Sequence, residues 1–381
     1  MPVVDIDTDE LRGLTGEPDK SDEEFKQDLF ALGLEYEGDT EDGLLQFEFG
    51  PDRLDRLSVE GVARSLRYQY GADRGVYVPE TNDAGWTIEV DPSVPAERPY
   101  VTGAVVRGVE LGESGLESLI QLQEKLHATM GRGRAKGAIG VHDLTMLKGQ
   151  ALTEESEPSG TIDAAVGDRL LRRGQIGGGG VDPEGDRFVP LDSNAEMTPA
   201  DVLEEHATGE TYADLVDDLD RYPAIYDELG LFSFPPVING ARTEVDADSR
   251  DLFIELTGTD QWTIDKMCVI LCYALSARGG TVEEVQVDYR DSAAYPDEYG
   301  TDLLRPDFDT DEKAVTHDRI ETMLGVELER EEVVDLFERS GMDAAYSLGE
   351  EETVYDVTIP PYRIDVLHPL DLVDDVGRAY G

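Results

Sequence analysis

An excess of acid sets the first limit on what this chain can fold into. Its 381 residues carry 85 Asp and Glu against 32 Lys and Arg, a formal net charge of -53 at pH 7. A chain so charged repels itself, and with low hydrophobicity it stays disordered. Here, however, 39% of residues are hydrophobic and they recur in periodic segments along the whole length, which favours a folded protein with an acidic surface. The few cations are mostly arginine. This balance points to a salt-rich, halophilic cytoplasm, where a Debye length of about 3 Å at 1 M screens the repulsion and carboxylates keep the surface hydrated. In that setting charge says little about partners, because the long-range term for nucleic acid is weak and local contacts decide.

No apolar run reaches the length of about 18 residues that suggests a membrane span. The first ten residues alternate apolar and acidic side chains and lack a signal peptide's basic-then-apolar plan, so a cytoplasmic location is expected. Cys268 and Cys272, one helical turn apart in an apolar stretch, read as reduced core rather than a bridge or metal site.

Periodicity divides the chain into three modules of a multidomain α+β protein. Residues 1–95 form a small N-terminal α+β module, with strands at 2–7 and 44–49, a helix after Ser21 stopped by Gly33, and a helix at 58–70. Pro92, Pro95 and Pro99 suggest a linker. Residues 96–295 form the largest module, with strands at 100–106, 137–141, 252–256 and 282–289 and helices at 116–130, 198–205, 213–222 and 262–278. Within it, 153–186 is polar and ends in Gly177 to Gly180, the composition of a flexible insertion. That glycine run lacks the Lys-Ser/Thr pair of a phosphate loop. Residues 303–381 make the last module, with helices at 316–324 and 330–340, a strand at 354–359 and a helix at 371–380.

Four ordered motifs carry a resemblance. EFGPDRLDRLSVEGVARSLR at 48–67 resembles the signature of the first module of phenylalanyl-tRNA synthetase β subunits. Residues 119–144, with LQEKLHATMGRGR and GAIGVHDL, FPPVING (234–240) and LFIELTG (252–258) resemble the editing module of the archaeal and eukaryotic form. PPYRIDVLHPLDLVDDVGRAYG (360–381) resembles the end of the winged-helix-like module that precedes the catalytic-like domain, a domain absent from this chain, which therefore reads as an N-terminal portion of such a subunit. The resemblance implies an aminoacyl-tRNA synthetase, a ligase joining phenylalanine to its tRNA with ATP and Mg²⁺ in an assembly of two α and two β subunits. The synthetic site would lie on the α subunit, and this subunit would hydrolyse mischarged tyrosyl-tRNA.

Candidate site residues follow. Asp371, Asp374 and Asp375 share one face of a first helical turn and Asp365 precedes it. Hard oxygen ligands of this kind suit Mg²⁺ or Ca²⁺, and the resemblance places there a Mg²⁺ shared with the α subunit. Acids in a first turn equally complement the helix dipole. In the editing module the candidates are Gln123, His127, Arg132, Arg134, His142, Asn239, Glu255 and Thr257, with a pocket expected between the 123–134 and 239–257 segments. A Glu, Asn or Thr there would bond the hydroxyl that separates tyrosine from phenylalanine. Arg132 and Arg134 suit tRNA phosphates or an ordinary turn. Two other readings stand beside this one: a non-catalytic tRNA-binding scaffold, and a helix-turn-helix regulator. Against the second, residues 330–339 carry no basic stripe.

Overall fold

The computed structural model describes residues 2–50, 52–148, 165–166, 169–170, 175–289, 299–349 and 352–381. They fall into two compact units, one of residues 1–79, 117–125 and 308–381, the other of 80–116 and 126–307. The described part is α+β in both, and no described helix is long and apolar enough to cross a membrane.

In the first unit, Val3–Ile6 and Leu45–Glu48 alternate buried and half-buried residues and pair antiparallel, with Glu35–Asp39 on the far side of Leu45–Glu48. Helix Thr8–Thr15 starts where Asp7 accepts the backbone N–H groups of Asp9 and Glu10, and Asp22–Ala31 starts at a Ser21/Glu24 capping box. The signature segment then makes a short turn, Leu54–Arg56, and the helix Val59–Gln69 capped by Ser58. Gly61 permits this join: a Cβ there would stand 1.8 Å from the Asp55 carbonyl oxygen. The C-terminal part centres Thr353–Ile359 between Asp311–Thr316 and Asp343–Leu348. Helices His317–Leu324, Arg330–Arg339 and Pro369–Tyr380 bury Ile320, Phe337, Leu372 and Val376 against Tyr355 and Val357, the three-helix and small-sheet plan of a winged-helix-like module.

The second unit is built on one sheet. Its order is Ile238–Asn239, Gly230–Phe234, Tyr222–Asp227, Gln175–Val181, Asn82–Val90, Thr281–Asp288, Tyr100–Arg107, Leu252–Gly258 and Gly137–Asp143, with Asp302–Arg305 also paired to Thr281–Asp288. Helix Gln261–Ala277 holds Cys268 and Cys272 as buried free thiols and contributes a nearly continuous run of buried residues.

Four expectations change. Asn82–Val90 pairs in parallel with Thr281–Asp288, so 80–95 belongs to the large sheet and the first boundary lies at Pro79, not 95. The first and last modules share one compact unit, which takes in 308–381 and the stretch 117–125. The glycine run is not part of a flexible insertion: Gln175–Val181 is a strand bonded on both sides, to Tyr222–Asp227 and Asn82–Val90. Within the proposed insertion, 153–164, 167–168 and 171–174 lie outside the described residues. The helix expected at 213–222 is replaced by a helix at Ala207–Tyr212, a short turn at Ala213–Leu215 and the strand that opens at Tyr222.

Candidate functional site

Strand register assembles a polar cluster in the second unit. Leu252–Gly258 pairs with Gly137–Asp143 so that Glu255 lies opposite Gly140 and Phe253 opposite His142. Ser233 lies opposite Asn239 across Gly230–Phe234 and Ile238–Asn239. The Ser233 Oγ then stands 2.8 Å from Glu255 Oε1 and 3.1 Å from Asn239 Oδ1. His142 Nδ1 lies 2.8 Å from Thr243 Oγ1, and its Nε2 is 3.7 Å from Glu255 Oε1. Phe232 meets the imidazole edge-on at 4.8 Å between ring centres, with Phe253 at 6.4 Å. His142 and Glu255 are 0% and 1% exposed. Even so, His142 Nε2 and Glu255 Oε2 make no hydrogen bond to the described residues. Two buried polar atoms left over in a cluster otherwise satisfied are costly unless something bonds them.

Three sequence candidates, His142, Asn239 and Glu255, therefore meet. The others do not join them. Gln123 falls in the 117–125 stretch that groups with the first unit. His127 is a structural acceptor: Ile139 N–H donates to its Nε2 at 2.8 Å. Burial, then the charges of Arg134 and Arg98, hold its pKa down at about 3, so it stays neutral. Arg132 and Arg134 sit in a left-handed turn, at φ 50° and 70°. Arg132 is exposed, whereas Arg134 donates to the Pro236 and Val237 carbonyls and lies 4.1 Å over the Tyr212 ring. Thr257 accepts from buried Arg98, whose other donors reach the carbonyls of Thr257, Arg134 and Ala135. Burial lowers the Arg98 pKa to about 10 against the opposing pull of Glu255.

Sequence reasoning missed Ser233, Thr243 and Arg98. It missed also the pair of buried Asp227 with half-buried Arg242, joined by bonds of 2.7 and 2.9 Å. Ser233 lies between two phenylalanines, and only strand pairing shows which polar group it faces.

In the first unit the four aspartates do not form the ligand set expected for Mg²⁺. Asp365 is held by the Arg363 fork at 2.7 and 2.8 Å, and Asp375 by the same guanidinium at 2.6 Å. Asp371 turns back to accept the N–H groups of Leu367 and His368, and Asp374 pairs with Arg378 at 2.9 Å. Among the described residues, the one carboxylate group close enough to share an ion is Glu35, Glu37 and Glu48. Asp365, Asp371, Asp374 and Asp375 fit ion pairing and helix capping. Arg363 supplies the positive charge between Asp365 and Asp375, while Asp371 and Asp374 turn to other partners, so the four are not gathered here as one ligand set.

The two ends of the fold also have counterparts among known proteins. Residues 313–381 match the tRNA synthetase B5 domain family. A solved N-terminal fragment of the phenylalanyl-tRNA synthetase β subunit from Pyrococcus horikoshii superposes with a TM-score of 0.86 at 28% identity, covering 100% of both chains. Both likenesses are to aminoacyl-tRNA synthetases. Over all of its 381 residues it is 73% identical to the phenylalanine–tRNA ligase β subunit of Halorubrum lacusprofundi and 36% identical, over 382 aligned positions, to that of Archaeoglobus fulgidus. It spans 63% and 62% of those relatives' lengths. Over its whole length the chain is therefore similar to phenylalanine–tRNA ligase β subunits, and it spans less than two thirds of them.

Proposed function

We propose that this chain serves phenylalanine–tRNA ligase as the subunit that clears tyrosine from mischarged tRNA. In the complete enzyme, two α and two β subunits attach phenylalanine to its tRNA with ATP, and the synthetic site belongs to the α partner. The observation that carries the editing reading is the pair of unused atoms, Glu255 Oε2 and His142 Nε2, in a buried cluster beside Ser233 and Asn239. A phenylalanine pocket rejects one added hydroxyl only weakly, by about a hundredfold. A site built to bond the hydroxyl discriminates far more strongly, because phenylalanine leaves its polar groups unpaired.

Glu255 would accept the phenolic O–H and His142 would flank it. Hydrolysis needs no side-chain nucleophile: water adds to the acyl carbon, the bond to the ribose oxygen breaks, and that oxygen takes the proton. Exposed Arg132 would meet phosphate, whereas Arg134 is spent on carbonyls. The near-zero exposure of Glu255 favours a second reading, a scaffold whose cluster is simply core. Release of tyrosine from tyrosyl-tRNA by the 381-residue chain separates the two. Asn239→Ala should slow that release with the fold intact; an unchanged rate would show that the site lies elsewhere. The chain alone should not charge tRNA, and ATP-dependent charging by it would overturn the division of roles.

A further inference from the structure

The first unit holds a cavity of about 350 Å³ that is cationic in an anionic protein. Arg53, Arg56, Arg64, Arg339 and Arg378 line it against one carboxylate, Asp375. The surrounding ion network does not balance this excess. Arg53, Arg64 and Arg363 take up Asp55, Asp365 and Asp375 between them, and Arg378 pairs with Asp374 and Asp52, which leaves Arg56 and Arg339 as the cations without a carboxylate of their own. Arg56 is 5% exposed and its bonds go to neutral oxygens, Ser65 Oγ at 3.0 Å and Leu32 O at 3.2 Å. Arg339, half-buried at the end of helix Arg330–Arg339, makes no ion pair among the described residues. Burial, then repulsion from Arg53, lowers the Arg56 pKa to about 9, as befits a buried cation short of countercharge.

We propose that this cavity is a binding site for an oxyanion, specifically a phosphate group, free or carried by a nucleotide. Guanidinium forks match phosphate oxygens in shape and charge, and their rigid donors lose little freedom on binding. Ser65, Tyr68, Gln69, Ser340 and Tyr362 are among the other residues that line it. The two signature segments of the unit, 48–67 and 360–381, contribute most of this surface, and an anion neutralises the excess charge they bring together.

Calorimetric titration of the 381-residue chain with inorganic phosphate and, separately, AMP tests this, in about 2 M KCl so that general repulsion is screened. Saturable binding of one equivalent is expected, weakened about tenfold by Arg339→Gln, the loss expected when one charge-assisted bond is removed. Arg56→Gln should weaken it further, and Arg187→Gln, in the other unit, should leave it unchanged. Arg339 has no ion pair to lose, so its variant decides the matter even if Arg56→Gln does not fold. Similar affinity for both probes identifies the free anion as ligand, and tighter AMP binding identifies a nucleotide phosphate. No saturable binding of either, or binding untouched by Arg339→Gln, would overturn the proposal.

Discussion

Glu255 owes its place to a glycine. A Cβ on Gly140 would stand 2.2 Å from Glu255 Oε1 and 2.9 Å from His142 Nε2, so both side chains occupy space that only glycine leaves. Gly140→Ala should displace them at a cost of about 1–3 kcal/mol, seen as a lower melting temperature of the second unit. An unchanged melt would mean that the cluster is loosely held. His127 works through its charge state. An unfolded histidine titrates near 6.5, while this one is held at about 3 by burial and by Arg134 and Arg98. Between those values the unfolded chain binds more protons, so His127 stabilises fully above about pH 6.5 and progressively less as pH falls toward 3. His127→Phe orphans the Ile139 N–H, costing about 1–3 kcal/mol. It should also flatten the stability slope between pH 7 and about 4 in denaturant titrations; an unaltered slope would exclude a neutral His127. His142 and Glu255 were legible in the sequence because they interrupt apolar strands. Thr243 and Ser233 were not, since small hydroxyls are common in any loop or strand, and Arg98 stands among prolines that read as linker.

Among elements, the two signature segments of the first unit explain each other. Burial pushes Asp55 and Asp365 toward the neutral form, but Arg53 and Arg363 respectively prevail and hold both below the usual carboxylate range. Their contribution is whole above the unfolded value of about 3.9 and lost as pH falls beneath it. Asp55→Asn removes the carboxylate from buried Arg53 and should cost about 3–5 kcal/mol. It should also make the acid-induced loss of stability shallower below pH 4; the same steepness in the variant would remove Asp55 from the network. The spacing of the aspartates in the last helix suggested a shared face, yet it could not show that Asp375 is buried against Arg363 while Asp374 is exposed and pairs with Arg378. Strands Glu35–Asp39 and Asp343–Leu348 escaped notice because nearly all their side chains are exposed, so no alternation marks them. Gln175–Val181 escaped because glycines carry no pattern at all; backbone pairing on both edges defines it.

For the molecule as a whole, the net charge of -53 makes stability a matter of salt. Repulsion across the folded surface is relieved by expansion, and single domains are worth only about 5–15 kcal/mol. Melting temperatures should therefore climb between about 0.1 and 3 M KCl as the Debye length shrinks. A flat or falling midpoint would reject the halophilic reading. The class of fold and the likeness to phenylalanine–tRNA ligase β subunits were legible at this scale from four short motifs, but the grouping of parts was not. Compact units form from segments hundreds of residues apart, and the prolines at 92, 95 and 99 that resemble a linker lie within the second unit.

The central claim is that Glu255 recognises the tyrosine hydroxyl. Its most direct measurement compares hydrolysis of tyrosyl-tRNA and phenylalanyl-tRNA by the chain and by Glu255→Ala, in molar KCl. The native chain should release tyrosine at least about a hundredfold faster than phenylalanine, and Glu255→Ala should erase that preference. Equal release of both amino acids by the native chain, or a preference that survives Glu255→Ala, would contradict it.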